Sequence, residues 1–105
     1  MKVVQRGTMK AVPGKMAEVA ELNRKYMAAA YRHGTPTGVR GYQPMFGGQD
    51  AMHTTVFELE WDSVAQMEQA FEGIMSDPEV QAMMPKYEQL TEFHTVELLV
   101  PISMS

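Results

Sequence analysis

The sequence predicts an α+β domain, with one antiparallel sheet and helices packed on one of its faces. Three observations predict it. The 105-residue chain carries four strand-like segments, the segments between them space their apolar residues as helices do, and no linker or internal repeat interrupts the chain. A chain of this length is expected to form a single domain over residues 1–105.

The first strand is predicted over 2–12, and because neither of its faces is purely polar it suits the centre of the sheet. Gly7 in its interior marks a bulge or the close approach of another group. After a Pro-Gly break, apolar residues at helical spacing predict a helix over 15–32, with Gly34 as its C-terminal cap.

A β-hairpin is predicted next, with strands over 38–46 and 51–61 joined by a tight Gly-Gly-Gln-Asp turn. If the turn is centred on its second and third residues, cross-strand partners have numbers that sum to 97, so Arg40 lies opposite Phe57. The face of this hairpin that is expected to lie under the helices carries Arg40, Tyr42, His53, Phe57 and Trp61.

Two capped helices and a final strand follow the hairpin. Ser63 and Gln66 form a capping box, and Asp77 followed by proline supplies an N-cap acceptor and a favourable first turn. Pro85 is expected to kink or restart the second of these helices. The last strand is predicted over 93–102 from its length and β-branched content.

The resulting order, β-α-β-β-α-α-β, is the split β-α-β, or ferredoxin-like, pattern with strands in the spatial order 4-1-3-2. Pro44 cannot donate a ladder hydrogen bond, which marks strand two as an edge strand. The helices then cover one sheet face. The other face is bare and partly apolar, which predicts a sheet-to-sheet homodimer.

Composition excludes several classes of function. The formal charge of −4 leaves no basic stripe for a nucleic acid. The absence of cysteine excludes a disulfide framework and thiolate chemistry, and favours the cytoplasm. No apolar run suits a signal peptide or a membrane span, so no membrane partner is expected. No P-loop, dinucleotide fingerprint, HExxH or CxxC motif supports a nucleotide, flavin or zinc cofactor.

One stretch carries a family resemblance: Trp61, the helix sequence DSVAQMEQAF that follows it, and the helix start SDPEVQAMM. With this stretch and its element order, the chain resembles the dimeric α+β barrel superfamily, and within it the antibiotic biosynthesis monooxygenase-like and NIPSNAP-like proteins. The resemblance implies two monomers packed sheet to sheet into a shared barrel, with a pocket between helices and sheet. Relatives oxidise aromatic polyketides without metal or flavin, cyclise substrates or cleave haem.

The residues that haem-cleaving relatives use are absent. The stretch 82–87 has no histidine to bind iron, and Gln5 stands in the region where such families carry an asparagine. The predicted strands place His53 and His94 about 10 Å apart, and no third ligand completes a metal motif. We therefore expect neither a cofactor nor a metal.

The candidate site lies on the helix-facing side of the hairpin. His53 is the predicted general base, because the pKa of histidine lies near neutrality, and Arg40 and Tyr42 are predicted to stabilise developing negative charge. The alternative for Arg40 is a salt bridge to a helix glutamate. The predicted substrate-binding residues are Trp61, Tyr26, Tyr87 and Phe57.

Three functions fit this sequence. The first is a cofactor-independent, monooxygenase-like or cyclase-like enzyme acting on an aromatic or polyketide-like molecule. The second is a non-catalytic binder of a small aromatic ligand in the same pocket. The third is a structural dimerisation module, in which Met67, Phe71 and Met83 fill the gap between helices and sheet.

Overall fold

A computed structural model describes residues 1–46 and 51–104 of the chain. Within these residues four strands and three α-helices form two layers, and no helix is long and apolar enough to cross a membrane. In chain order the elements are β1 (Val3–Ala11), α1 (Met16–Arg32), β2 (Arg40–Tyr42), a short 3-10 turn (Ala51–His53), β3 (Thr54–Trp61), α2 (Val64–Met75), α3 (Pro78–Leu90) and β4 (Thr91–Leu99).

The sheet confirms the predicted topology. Its strands are antiparallel and lie in the order β2-β3-β1-β4, which is the predicted 4-1-3-2 order read from the other edge. β2 is an edge strand, as Pro44 indicated. Every second residue of β1 packs under the helices: Val3 lies in a buried cluster with Met67 of α2, and Met9 lies in one with Val19 of α1.

The two predicted helix starts are capped as the sequence indicated. The Ser63 hydroxyl accepts a hydrogen bond from the backbone N–H of Gln66 at 3.1 Å, and the Gln66 side chain accepts one from the N–H of Asp62 at 2.7 Å. The Asp77 carboxylate accepts a bond from the N–H of Glu79 at 2.9 Å, at the start of α3. These caps fix where α2 and α3 begin, and so where they cross the sheet.

α1 ends as predicted at Gly34, whose φ of +94° suits a residue without a side chain. The N–H of Thr35 donates to the carbonyl of Ala30 and the N–H of Gly34 to that of Tyr31, which closes the last turn. This turn directs the Thr35 side chain back beneath the helices, where it is 7% exposed.

A polar contact joins the end of α1 to the start of α3. His33 Nε2 lies 2.8 Å from the Asp77 carboxylate, and the Arg32 guanidinium lies 3.5 Å from the same carboxylate. Gly73 in α2 leaves room for this contact, because a Cβ there would lie 2.7 Å from His33 Nδ1. The hydrogen bonds from His33 and from the Glu79 N–H hold the pKa of Asp77 below its usual value.

The predicted hairpin register is wrong by one residue. Arg40 pairs with Glu58 and Tyr42 with Val56, so partner numbers sum to 98 instead of 97. Because side chains alternate along a strand, this slip moves Arg40 and Tyr42 from the helix-facing side to the bare side of the sheet. There both are exposed, and Glu58, the partner of Arg40, forms a 3.0 Å ion pair with Arg6 of β1.

Two other boundaries differ from prediction. The helix does not restart at Pro85: α3 runs from Pro78 to Leu90, with Val80 and Met83 buried on its inner side. β4 starts directly after α3 and ends at Leu99, which pairs with Val4 near the start of β1. The predicted turn at 47–50 lies outside the described residues.

Candidate functional site

A cavity of about 260 Å³ lies between the sheet and the three helices. Its floor comes from alternate residues of β1, including Gln5, Gly7 and Met9, with contributions from β3 and β4. Most of its lining is apolar, and no Asp, Glu, Lys or Arg of the described chain is among the lining residues. The methionines that line it are Met9, Met27, Met75 and Met84.

Trp61 forms the rigid end of this cavity. It is 1% exposed, and its indole N–H donates to the side-chain oxygen of Gln5 at 2.9 Å. The Phe71 ring of α2 packs against the indole with 5.9 Å between ring centroids and a 60° tilt. Since both the position and the orientation of the indole are fixed, it offers a preformed aromatic wall.

A second aromatic pair closes the helical side. The Tyr26 ring of α1 meets the Tyr87 ring of α3 edge to face, with 6.2 Å between centroids. The Tyr87 hydroxyl donates to the Asn23 side-chain oxygen at 2.7 Å, which ties α3 to α1. Burial raises the pKa of both tyrosines, so both hydroxyls are protonated at neutral pH.

The Thr35 hydroxyl is a polar group in the cavity lining that has no hydrogen-bond partner among the described residues. Its oxygen is shielded from solvent. A buried polar group left in this state destabilises a protein, which is why such groups are rare. Thr35 therefore supplies a hydrogen-bonding group to a lining that is otherwise mostly apolar.

His94 is a lining residue that the sequence did not single out as functional. It pairs with Met9 across the β1–β4 ladder, and its Nε2 lies 3.5 Å from the position that a Cβ on Gly7 would occupy. Partial burial lowers the pKa of His94 from its usual value. Gly7 was the signal for this residue, since a glycine inside a strand predicts the close approach of another group.

All four predicted substrate-binding residues lie in the cavity lining, and the three predicted catalytic residues do not. Trp61, Tyr26, Tyr87 and Phe57 contribute side chains from both layers. The predicted placement of Arg40 and Tyr42 beneath the helices is wrong, because both follow the shifted register. His53 lies in the 3-10 turn before β3 and is not among the lining residues. The catalytic roles assigned to these three residues stay predictions.

The described residues bring together no group of three or more His, Asp or Glu side chains that could hold a metal ion. The three histidines lie in different parts of the fold. His33 lies at the end of α1 and is bound to Asp77, while His53 and His94 lie at the starts of β3 and β4. The cavity lining itself offers hydrogen-bonding groups and aromatic rings.

Comparison with known proteins identifies relatives of the fold. No family model matches the chain, and no curated protein does. Solved structures do match: a NIPSNAP domain protein from Burkholderia xenovorans has 19% identity and a TM-score of 0.77, with 98% of this chain and 97% of that chain covered. A NIPSNAP family protein from Agrobacterium tumefaciens has 20% identity and a TM-score of 0.79, over 100% and 97%.

A third solved structure, a NIPSNAP family protein of unknown function from Agrobacterium tumefaciens, has 16% identity and a TM-score of 0.75, with 99% of this chain and 91% of that chain covered. All three cover nearly the whole chain, so the likeness extends to every element and not only to the stretch around Trp61. At these identities the likeness establishes architecture and not activity. The chain has the ferredoxin-like α+β fold of NIPSNAP family proteins.

Proposed function

We propose that this protein binds a small, uncharged aromatic molecule in the cavity between sheet and helices, and that it does so as a homodimer. The observation that carries the proposal is the open cavity with aromatic walls, in whose lining the Thr35 hydroxyl is buried without a partner. An apolar lining with aromatic rings favours an aromatic ligand.

The size and charge of the cavity narrow the ligand class. Ligand pockets for drug-sized molecules hold about 300–1,000 Å³, and the 260 Å³ found here suits one or two aromatic rings. The lining carries no charged side chain, so an ionised ligand would lose its hydration without gaining a counter-ion. An uncharged bicyclic aromatic such as naphthalene is the simplest probe.

The structure favours ligand binding over a purely structural role. A structural role required side chains such as Met67 and Met83 to fill the gap between the layers. Both are buried in the core, yet the cavity remains open beside them, with Phe71 as part of its wall. A preformed cavity lined by aromatic rings favours ligand binding.

A monooxygenase-like or cyclase-like activity on an aromatic or polyketide-like substrate is the finer alternative. It requires a base that reaches the ligand, and the predicted base, His53, does not line the cavity. A His53→Ala variant separates the two proposals, because a binder retains its affinity for naphthalene and an enzyme that uses His53 loses turnover. With no cysteine in the chain, we place either function in the cytoplasm.

The homodimer is proposed from the bare face and the free edge of the sheet. The monomer measures 40 × 39 × 18 Å, a slab two layers thick with helices on one side only. Phe93 and Tyr42 are exposed on the bare face, and past the end of β4 Val100 and Ile102 are exposed too. Light scattering at micromolar concentration is expected to give twice the mass of the chain, and a monomeric mass contradicts the dimer.

Calorimetric titration with naphthalene tests the binding proposal. Met27 lines the cavity and is half-buried, so Met27→Trp is expected to fill part of it and to weaken naphthalene binding at least about tenfold, or ~1.4 kcal/mol. Lys25→Trp, on the exposed side of the same helix, is the matched control and retains binding. Equal affinity in both variants, or no binding to the wild type, contradicts a cavity site.

A further inference from the structure

We propose that His94 determines the specificity of this cavity, and that the ligand is an uncharged hydroxylated aromatic of the phenol or naphthol class. Its O–H would donate to the His94 imidazole. The inference rests on the proposed function, since it names the chemical class of the molecule that the cavity binds.

The imidazole of His94 lies over the neighbouring strand β1. β4 is an edge strand, and His94 shares the helix-facing side of the sheet with Gly7 and Met9 of β1. With no side chain at Gly7, the ring reaches over the neighbouring strand, and its Nε2 lies 3.5 Å from the site of the missing Cβ. His94 is exposed yet also part of the cavity lining, so it lies where the cavity opens to solvent.

The protonation state of His94 follows from its surroundings. Desolvation of the ring lowers the pKa of His94 from its usual value, and the cavity lining holds no carboxylate that would raise it. The imidazole is therefore neutral at pH 7.5. A neutral imidazole has one nitrogen that accepts a hydrogen bond and one that donates.

The Gln5 amide is another polar group of the cavity lining. The Gln5 side-chain oxygen accepts from the Trp61 indole N–H at 2.9 Å, which fixes the orientation of the amide. Its NH₂ group donates to no acceptor in the described parts of the chain. Gln5 and Gly7 are two residues apart on one face of β1, about 7 Å by strand geometry. The amide and the imidazole are therefore separate polar groups of one cavity lining.

With the accepting lone pair on Nε2, the nitrogen that lies over β1, the imidazole selects a ligand group that donates a proton. A hydroxyl does so, whereas an ether or a carbonyl has no proton to donate and leaves this nitrogen unpaired. Phenols have a pKa of about 10, well above the lowered pKa of His94. The bound hydroxyl therefore keeps its proton, and His94 acts as a hydrogen-bond acceptor in recognition.

Calorimetric titration at pH 7.5 with 1-naphthol and 1-methoxynaphthalene tests the inference. The two compounds share a ring system and differ in the O–H donor. Wild-type protein is expected to bind 1-naphthol about five- to tenfold more tightly, the ratio that one ordinary hydrogen bond produces. His94→Phe keeps a ring without an acceptor, and the ratio is expected to fall to about one, while 1-methoxynaphthalene binds as before.

Two further variants keep the test decisive. His94→Gln restores an acceptor and is expected to recover part of the preference, whereas Thr95→Val, one residue along on the opposite face of β4, leaves the ratio unchanged. A preference for 1-naphthol that survives in His94→Phe overturns the role of His94. Equal binding of both compounds by the wild type overturns the inference and leaves the proposed function standing. Failure of both compounds to bind overturns the two together.

Discussion

Replacing Thr35 by valine is expected to stabilise the ligand-free protein. Valine matches the shape of threonine but lacks the hydroxyl that the structure leaves buried and unpartnered. An unsatisfied buried polar group costs about 1–3 kcal/mol. Because the group adjoins a cavity where local rearrangement relieves part of this penalty, we expect a gain near the lower end, about 1 kcal/mol.

Thermal unfolding followed by circular dichroism measures this gain. For a domain of this size, about 1 kcal/mol corresponds to a rise in Tm of ~4–8 °C. Thr54→Val is the matched control: Thr54 is also 7% exposed, but it is not without a partner. Its replacement is expected to lower Tm, because it removes a group that already interacts.

The same variant also tests the link between stability and binding. Naphthalene has no polar group, so it is expected to bind Thr35→Val at least as tightly as the wild type. A Thr35→Val protein that unfolds at a lower temperature than the wild type would refute the reasoning. It would mean that the hydroxyl already has a partner, and Thr35 would then give no support to a ligand in the cavity.

Three other predictions concern the contacts that frame the cavity. Gly73→Ala is expected to destabilise the protein by about 1 kcal/mol in urea unfolding, because the clash with His33 outweighs the better helix propensity of alanine. In a His33→Ala background the same change should become stabilising. An equal effect in both backgrounds would count against the clash. Asp77→Asn keeps the helix cap but removes the charge. Because the folded-state pKa of Asp77 is lowered, the stabilisation is present above pH 3.8 and lost as pH falls further, so the Tm gap to the wild type should narrow below that pH, and a gap that stays constant there would contradict this. Tyr87→Phe removes the 2.7 Å bond to Asn23 and should cost about 1 kcal/mol, and a neutral result would show that this bond does not hold α3 to α1.

The sequence correctly predicted the features that depend on residues close together in the chain. The capping box at Ser63, the N-cap at Asp77 and the turn at Gly34 each involve residues within a few positions of one another, and all three are present. The strand order followed from the element order and the chirality of short connections. Aromatic residues such as Trp61 and Tyr26 were correctly assigned to the cavity because they lie on the apolar faces of their elements.

The hairpin register depends on more than local pattern. Its prediction assumed a two-residue turn, but Tyr42 and Thr54 are the last and first residues of the paired strands, and residues 43–53 separate them. Pro44 offers no N–H to extend the ladder, and a 3-10 turn precedes β3. With so long a connection the turn does not fix the register, and a slip of one residue exchanged the two faces of β2.

His94 was missed for a related reason. Its role depends on the pairing of β4 with β1, which are far apart in sequence, and on the space above Gly7. Gly7 and His94 were each visible in the sequence, and only the register joins them. The cavity itself could not be predicted, because whether the methionines fill the gap between the layers is decided by packing.

A titration of ¹⁵N-labelled protein with 1-naphthol, followed by two-dimensional NMR, tests the central claim most directly. Trp61 is the only tryptophan, so its indole N–H gives one unambiguous signal from the end of the cavity. We expect saturable chemical-shift changes of this signal and of the backbone amides of Gly7 and Thr35. The amides of Arg6 and Glu58, on the bare face, should change little. Shifts confined to the bare face, or an indole signal that never moves, would contradict it.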